Sequence, residues 1–300
     1  MAFPYVQVNA SLIWLPTGIA VAALTRWRLV MLPSVYLSAV LLEMSAGTPF
    51  GLALAVAIGS TLAPCVTYFI LKHQQFSSYF SHRKDVIWFG IASALGMTVS
   101  ATVGSFLLWN QGAIASPNLV WVSWWAGDTV GVLLAAPLLL SLSSANLAKL
   151  ASKPKELGVF AVAFGVAHWL MFFSPQNELQ LTFIGMAVMI WAALRFGITG
   201  VSVTVLASAL IAAWVTFNAQ GPFTSSDPNT NLFLLWLYMS TLTIASLLIT
   251  ALQNERQIAA NELKESFERV NKVASRLPGL VMQYLVHPDG SSSVPYASNA

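Results

Sequence analysis

The chain has 300 residues, of which 57% are hydrophobic and only 8% are charged. This balance lies outside the range of soluble globular domains and predicts a protein with several membrane-spanning segments. The formal net charge of +3 does not indicate nucleic-acid binding, because the basic residues are scattered between apolar stretches. The single cysteine, Cys65, excludes an internal disulfide and a cysteine-rich metal site.

Apolar stretches separated by polar turns predict about nine membrane helices. Several are shorter than the roughly 20 residues that cross a bilayer core, so their number is less sharply defined than their existence. Prolines inside them predict kinks, because neighbouring helices can pair with the freed carbonyl groups. The predicted segments are 8–25, 29–45, 50–71, 86–109, 119–142, 157–174, 181–195, 198–217 and 232–252.

The 14 lysines and arginines all follow the first, third, fifth, seventh and ninth segments. The intervening connections, near 46–49, 110–118, 175–180 and 218–231, contain none. Because basic loops stay on the cytoplasmic side of a membrane, this alternation predicts an external N-terminus and a cytoplasmic C-terminus. The sequence therefore predicts the lipid bilayer as a binding partner of the chain.

The segment 119–142 carries a single carboxylate, Asp128, between Gly127 and Gly131. An ionisable group there costs about 2.5–3.5 kcal/mol on insertion scales. One interpretation is a structural aspartate that bonds a neighbouring helix, and the other is a signal-sensing group. Glycines four residues apart let a second helix approach closely, so we expect Asp128 to point into the bundle.

Five further side chains are candidates for sensing. Trp124 and Trp125 offer aromatic faces beside Asp128, which suits an amphipathic or cationic ligand. Each of the others has a plainer interpretation: Trp14 as an interfacial tryptophan, Glu43 as a carboxylate that reaches outer water, and His168 as a hydrogen-bonded core histidine. No metal-ligand cluster, phosphate loop or nucleophile triad appears, so we predict no catalytic residue and no cofactor.

After Leu252 the composition changes to a charged helical segment, 253–277. Its apolar residues are spaced as in the seam of a coiled coil, over about two heptads. This spacing predicts a homodimer and a role in signal transmission, while the alternative is an amphipathic helix on the membrane or on the next domain. The seam consists of Leu263, Phe267, Val270, Ala274 and Leu277.

The last residues predict a β-hairpin. Pro278 and Gly279 end the helix, 280–286 has the composition of a strand, and an extended stretch resumes at 293–297 after a turn at Pro288. About twenty residues cannot bury a core. We therefore expect the hairpin to begin a soluble domain in a longer protein.

Three stretches carry a family resemblance: WLPTGIA at 14–20, WWAGDTVGVLLAAPLLL at 124–140 and WAALRFGITG at 191–200. Together they resemble the membrane-associated sensor domain called MASE, type 1. Residues 277–298 resemble the opening strands of a PAS domain. The resemblance implies a bacterial inner-membrane receptor that feeds a PAS domain and then a GGDEF, GGDEF plus EAL, or histidine kinase domain. None of those output motifs is present, so no catalytic residue is carried over.

The sequence thus predicts three parts: a transmembrane sensor, 1–252, a helical linker, 253–277, and the start of a PAS domain, 278–300. The leading hypothesis is a sensory module that responds to a small ligand or a partner membrane protein and controls cyclic-di-GMP synthesis or breakdown. A transporter or channel is the second hypothesis, suggested by polar groups in kinked helices. An intramembrane enzyme is the third, and no pairing of candidate residues supports it.

Overall fold

A computed structural model describes residues 13–173, 181–225, 227–274 and 282–297. The described chain is an all-α bundle followed by a two-stranded antiparallel sheet, and it divides into two compact units, 1–252 and 253–300. The elements are α1 (Leu15–Trp27), a 3-10 helix (Arg28–Met31), α2 (Leu32–Ser45), α3 (Phe50–His73), α4 (Arg83–Asn110), α5 (Pro117–Ser141), α6 (Ser144–Ala151), α7 (Pro154–Phe172), α8 (Phe183–Phe217), α9 (Pro228–Ala274), β1 (Met282–Val286) and β2 (Ser292–Ala297).

The polytopic membrane bundle predicted from the sequence is confirmed, although the count differs. Among the described residues, 7 helices are long and apolar enough to cross a membrane, against the nine segments predicted. The difference arises because Leu15–Ser45 and Phe183–Phe217 each count as one span. In each of them the chain reverses direction.

The stretch Leu15–Ser45 is a helical hairpin. Trp14 and Pro16, at the start of α1, line the same small cavity as Leu42 and Glu43, near the end of α2. The beginning of one helix therefore lies beside the end of the other, and the two run antiparallel.

The helix α8 reverses in the same way at Gly197. Contacts with α7 show the change of direction: Gly185 with Met171, Phe196 with Phe160, and Ser208 with His168. The first segment, 183–196, therefore runs opposite to α7, and the second, 198–217, runs beside it in the same direction. Counting both reversals, the described residues contain nine apolar segments.

The two reversals share an unusual backbone conformation. Arg28 has φ 64° and ψ −160°, and Gly197 has φ 64° and ψ −164°. Each follows an arginine and an aromatic residue, Arg26 with Trp27 and Arg195 with Phe196. This region of backbone space is nearly restricted to glycine, so Gly197 occupies it without strain while Arg28 stores strain.

The helix α5 is the centre of the bundle, since it packs against α1, α4 and α8. The orphan carbonyl groups at its C-terminal end are paired by side chains from other elements. The Ser141 carbonyl accepts hydrogen bonds from Asn146 Nδ2 at 2.8 Å and from Thr199 Oγ1 at 3.1 Å. The Leu142 carbonyl accepts one from Arg26 at 3.3 Å. The end of α5 is thus tied to both reversals.

The second unit contains the end of α9 and the hairpin. The predicted hairpin is present: β1 and β2 pair antiparallel, with Met282 opposite Ala297. In the turn, the Asp289 carboxylate accepts hydrogen bonds from the hydroxyl and amide of Ser291, which hold the pKa of Asp289 below its usual value.

We predict that Arg28→Gly stabilises the fold by about 1 kcal/mol, because glycine relieves the strain of the positive φ. Arg28→Ala removes the same charge and keeps a Cβ, so it is the matched control. Thermal unfolding of both variants in detergent measures the difference. An Arg28→Gly protein that melts no higher than Arg28→Ala contradicts the strained conformation.

Candidate functional site

Asp128 of α5 joins three helices through its carboxyl group. Its side chain is buried, with a residue exposure of only 2%. Oδ1 accepts a hydrogen bond from Thr17 Oγ1 of α1 at 2.9 Å, and Oδ2 accepts one from Ser100 Oγ of α4 at 2.5 Å. Both donors are themselves buried. Each carboxyl oxygen therefore has one partner, and each partner comes from a different helix.

The approach of α1 to α5 is closer than side chains other than glycine would allow. The carbonyl of Trp14 lies directly over the Cα of Gly131, and a Cβ on Gly18 would collide with the carbonyl of Gly131. The amide of Trp14 also donates a hydrogen bond to the Gly127 carbonyl at 3.1 Å. This close contact brings Thr17 within reach of Asp128, as glycine-mediated packing does in membranes.

The neighbouring tryptophans of α5 pack against α4. The Trp124 ring covers Gly104, so closely that a Cβ there would overlap it. Trp125 Nε1 donates to the Ala94 carbonyl at 2.8 Å, and its ring stacks on Trp121 with centroids 6.1 Å apart and planes 8° apart. These rings fix α4 beside α5, and the position of α4 brings Ser100 within hydrogen-bond distance of the Asp128 carboxylate.

Glu43 and Trp14 meet at a cavity on the other side of Thr17. Its volume is about 30 Å³, and Thr17, Ser38 and Ser60 contribute hydroxyl groups to its lining. Glu43 is half-buried and accepts a hydrogen bond from Thr48 at 3.1 Å. A space of this size holds about two water molecules. A larger ligand, such as the amphipathic one that the tryptophans suggested, therefore needs α1 and α2 to separate.

His168 belongs to a second polar cluster, on α7, α8 and α9. Its Nδ1 lies 2.9 Å from the Phe164 carbonyl, and its Nε2 lies 2.8 Å from Ser208 Oγ. Since a carbonyl can only accept, Nδ1 carries the proton, and neutral imidazole then accepts from Ser208 at Nε2. Ser208 in turn lies 3.1 Å from the Tyr238 hydroxyl.

The structure thus groups Trp14, Glu43 and Asp128 around α1 and places His168 in a different set of helices. The sequence analysis did not identify the hydroxyl partners Thr17, Ser100, Ser208 and Tyr238. Serine and threonine are common in membrane helices, where most bond a carbonyl of their own helix. Nothing in their spacing distinguishes the few that reach another helix. Among the described residues, no group of three or more His, Cys, Asp or Glu side chains could hold a metal ion.

The predicted transmission residues lie on the exposed part of α9. Leu263, Phe267 and Val270 are 73%, 58% and 55% exposed in the single chain. Ala274 is the last residue of α9, and its side chain and Leu277 lie outside the described residues. The apolar seam is therefore accessible to a second helix over its described part, and dimerisation stays a prediction.

Comparison with known proteins gives one family. The family model of MASE1 matches residues 2–257, which include both polar clusters. No curated protein matches the chain, and no solved structure matches it. The matched range ends before the β-hairpin, so the resemblance of residues 277–298 to a PAS domain stays a prediction.

We predict that Ser100→Ala destabilises the bundle by about 1.5–3 kcal/mol, because it leaves one oxygen of a buried carboxyl without its donor. Ser93→Ala on the same helix is the control, since within the described part of the chain buried Ser93 bonds only the Phe89 carbonyl of its own helix, at 2.7 Å. The measurement is the melting temperature in detergent. Equal losses from both variants would show that the bond to Asp128 adds no stability.

Proposed function

Since the chain belongs to the MASE1 family of membrane sensor domains, we propose that its signal acts on Asp128 and leaves the bundle through α9. The observation that carries the proposal is the carboxyl group shared between α1 and α4. Its two hydrogen bonds form only while both helices keep their positions on α5. Any change at this carboxyl is therefore a change in helix packing.

A ligand or ion that competes for Asp128 must displace Thr17 or Ser100. Thr17 is the side that the small cavity reaches, and the cavity also exposes the Glu43 carboxylate. A cation is favoured there over an anion, because both nearby ionisable groups are acidic. Displacing Thr17 releases α1 from α5, and a ligand that binds the released state better shifts the population towards it.

The route to the output runs through α8 and α9. The second segment of α8 contacts the end of α5, where Thr199 Oγ1 donates to the Ser141 carbonyl. Ser208 on that segment lies within hydrogen-bond distance of Tyr238 on α9. Helix α9 continues without a break in its helical assignment from Pro228 to Ala274. A shift of α8 would therefore reach the charged part of the same helix.

We further propose the finer organisation that the sequence suggests. Residues 253–277 form a homodimeric linker, 278–300 begin a PAS domain, and a cyclic-di-GMP synthesising or degrading domain follows. A histidine kinase is the alternative output. A transporter is the alternative function, since buried polar groups and reversed helices occur in transporters. The long charged continuation of α9 favours the sensor, because transport requires no such linker.

We predict that Asp128→Asn changes crosslinking between copies at Val270→Cys by about fivefold or more, the lower range of allosteric couplings. The amide accepts on only one of its polar atoms and donates from the other, so Thr17 or Ser100 must turn its hydroxyl to accept, and the tie of α1 or α4 to α5 changes. The assay compares disulfide formation in native membranes, with Cys65→Ala as the background.

Asp85→Asn is the matched control for this experiment. Asp85 is also 2% exposed, but its carboxylate caps the start of α4 by accepting from the amides of Ser77 and His82. It should alter stability without altering the crosslink. If both variants crosslink like the parent, Asp128 is structural and the signal is read elsewhere.

Orientation is tested by labelling single cysteines in intact cells. The distribution of basic residues predicts that Gln111→Cys and Asn229→Cys react with an impermeant maleimide and that Ser152→Cys does not. Lysed cells provide the control, since all three positions should react there. Labelling of position 152 from outside would reverse the proposed topology.

A further inference from the structure

An open apolar groove runs along the outer surface of the bundle between α7 and the first segment of α8. Its volume is about 660 Å³, within the range of small-molecule sites. Valine, alanine, glycine and leucine from α7 form one wall, and Ile184 and Val188 from α8 form the other. Val159, Val162 and Val166 are 61%, 68% and 52% exposed, so the protein leaves this groove uncovered.

The groove has the length of one leaflet. Its α7 wall extends from Gly158 to Leu170, a rise of about 18 Å at 1.5 Å per residue. Half of a hydrocarbon core measures about 15 Å. Both walls belong to membrane helices that run antiparallel, so the groove follows the direction of the acyl chains.

One end of the groove is basic. Lys155 precedes Val159, Val162 and Val166 by four, seven and eleven residues, so it lies on the α7 face that forms the groove, one turn before it begins. On the opposite wall, Arg195 follows Ile184 and Val188 by eleven and seven residues.

The charges at this end do not cancel. Arg195 pairs with Glu156 through two hydrogen bonds of 2.5 Å and 3.0 Å, and Lys153 Nζ donates to the Arg195 carbonyl at 2.8 Å. This end of the groove therefore carries three cations, Lys153, Lys155 and Arg195, and one carboxylate, Glu156. Lys155 is exposed, and its flexible stem can bring the ammonium group to the headgroup layer.

We propose that this groove is a binding site for one anionic glycerophospholipid. An acyl chain lies along Val159, Val162 and Val166, and the phosphate meets Lys155 at the basic end. Basic pockets between membrane helices recognise lipid headgroups in this way, whereas a zwitterionic lipid brings a second cation to the same place. The inference is independent of the signal at Asp128, which lies on α5.

Charge also disfavours a second copy of the chain as the occupant. Two parallel copies that packed groove to groove around a two-fold axis would bring Lys155 close to Lys155 of the other copy. A lipid phosphate brings the opposite charge to the same position. The groove is also concave, which suits a single flexible chain.

The test uses native mass spectrometry of the 300-residue chain with phosphatidylglycerol and with phosphatidylcholine of identical acyl chains. We expect one phosphatidylglycerol to bind at least about fivefold more tightly than phosphatidylcholine, since each cation near an anionic lipid headgroup contributes about that factor. Lys155→Gln should lower the affinity for phosphatidylglycerol about fivefold. Lys149→Gln, on α6, is the matched control and should leave it unchanged.

A second pair of variants tests the groove itself. Ala163→Trp fills it, whereas Ala161→Trp places the same ring on exposed α7 surface outside its lining. We expect only Ala163→Trp to lose the bound lipid. The proposal is overturned if both lipids bind with equal affinity, or if the two variants of either pair have equal effects. It is also overturned if the chain forms a dimer that Ala163→Trp dissociates. If Ala163→Trp fails to fold, the lysine pair decides.

Discussion

The bundle depends on a carboxyl group that it keeps away from water. A buried carboxyl in a membrane helix is tolerable only when both oxygens have partners, and the Asp128 oxygens take theirs from Thr17 and Ser100. The glycines of α1 and α5 permit the first contact, and Trp124 and Trp125 fix the helix that supplies the second. Much of the close packing of α1, α4 and α5 therefore serves one side chain. In a sensor domain such a group is a structural tie and, as proposed, the point of control.

The fold was largely predictable because the hydrophobicity and charge of each stretch of sequence determine whether it enters the membrane. Long apolar stretches, the alternation of basic loops and the abrupt change after Leu252 each predict an element without reference to the others. The helix count differs where the chain reverses within a continuous helical assignment, as at Gly197. The sequence predicts two segments there, 181–195 and 198–217, and a single residue with positive φ makes the turn between them. Asp128 could be predicted as a site because an ionisable residue is conspicuous in an apolar segment. Its hydroxyl partners could not, because their identity depends on which helices are neighbours.

The two polar clusters differ in character. Around Asp128, three helices meet at an acidic group, and a cavity with a second carboxylate lies beside one of the hydroxyl partners. Around His168, hydrogen bonds join the imidazole to Ser208 and Ser208 to Tyr238, and the imidazole stacks on Phe164 with centroids 3.9 Å apart. An imidazole with both nitrogens bonded and an aromatic ring against its face is typical of a rigid core. The membrane bundle therefore combines one polar contact suited to change with another suited to hold α7, α8 and α9 together.

The shortness of α2 has a consequence for the surrounding lipid. With 14 residues, this helix rises only about 21 Å, roughly 9 Å less than an ordinary hydrocarbon core. Leu37 and Leu41, 60% and 66% exposed, lie on this short helix, and the bilayer can match its length by thinning around the first hairpin. Thinning brings the headgroups and their water closer to Glu43 than the average membrane depth suggests. Acyl chain length, and with it the thickness of the host membrane, would then act on the first hairpin, whose α1 supplies Thr17 to Asp128.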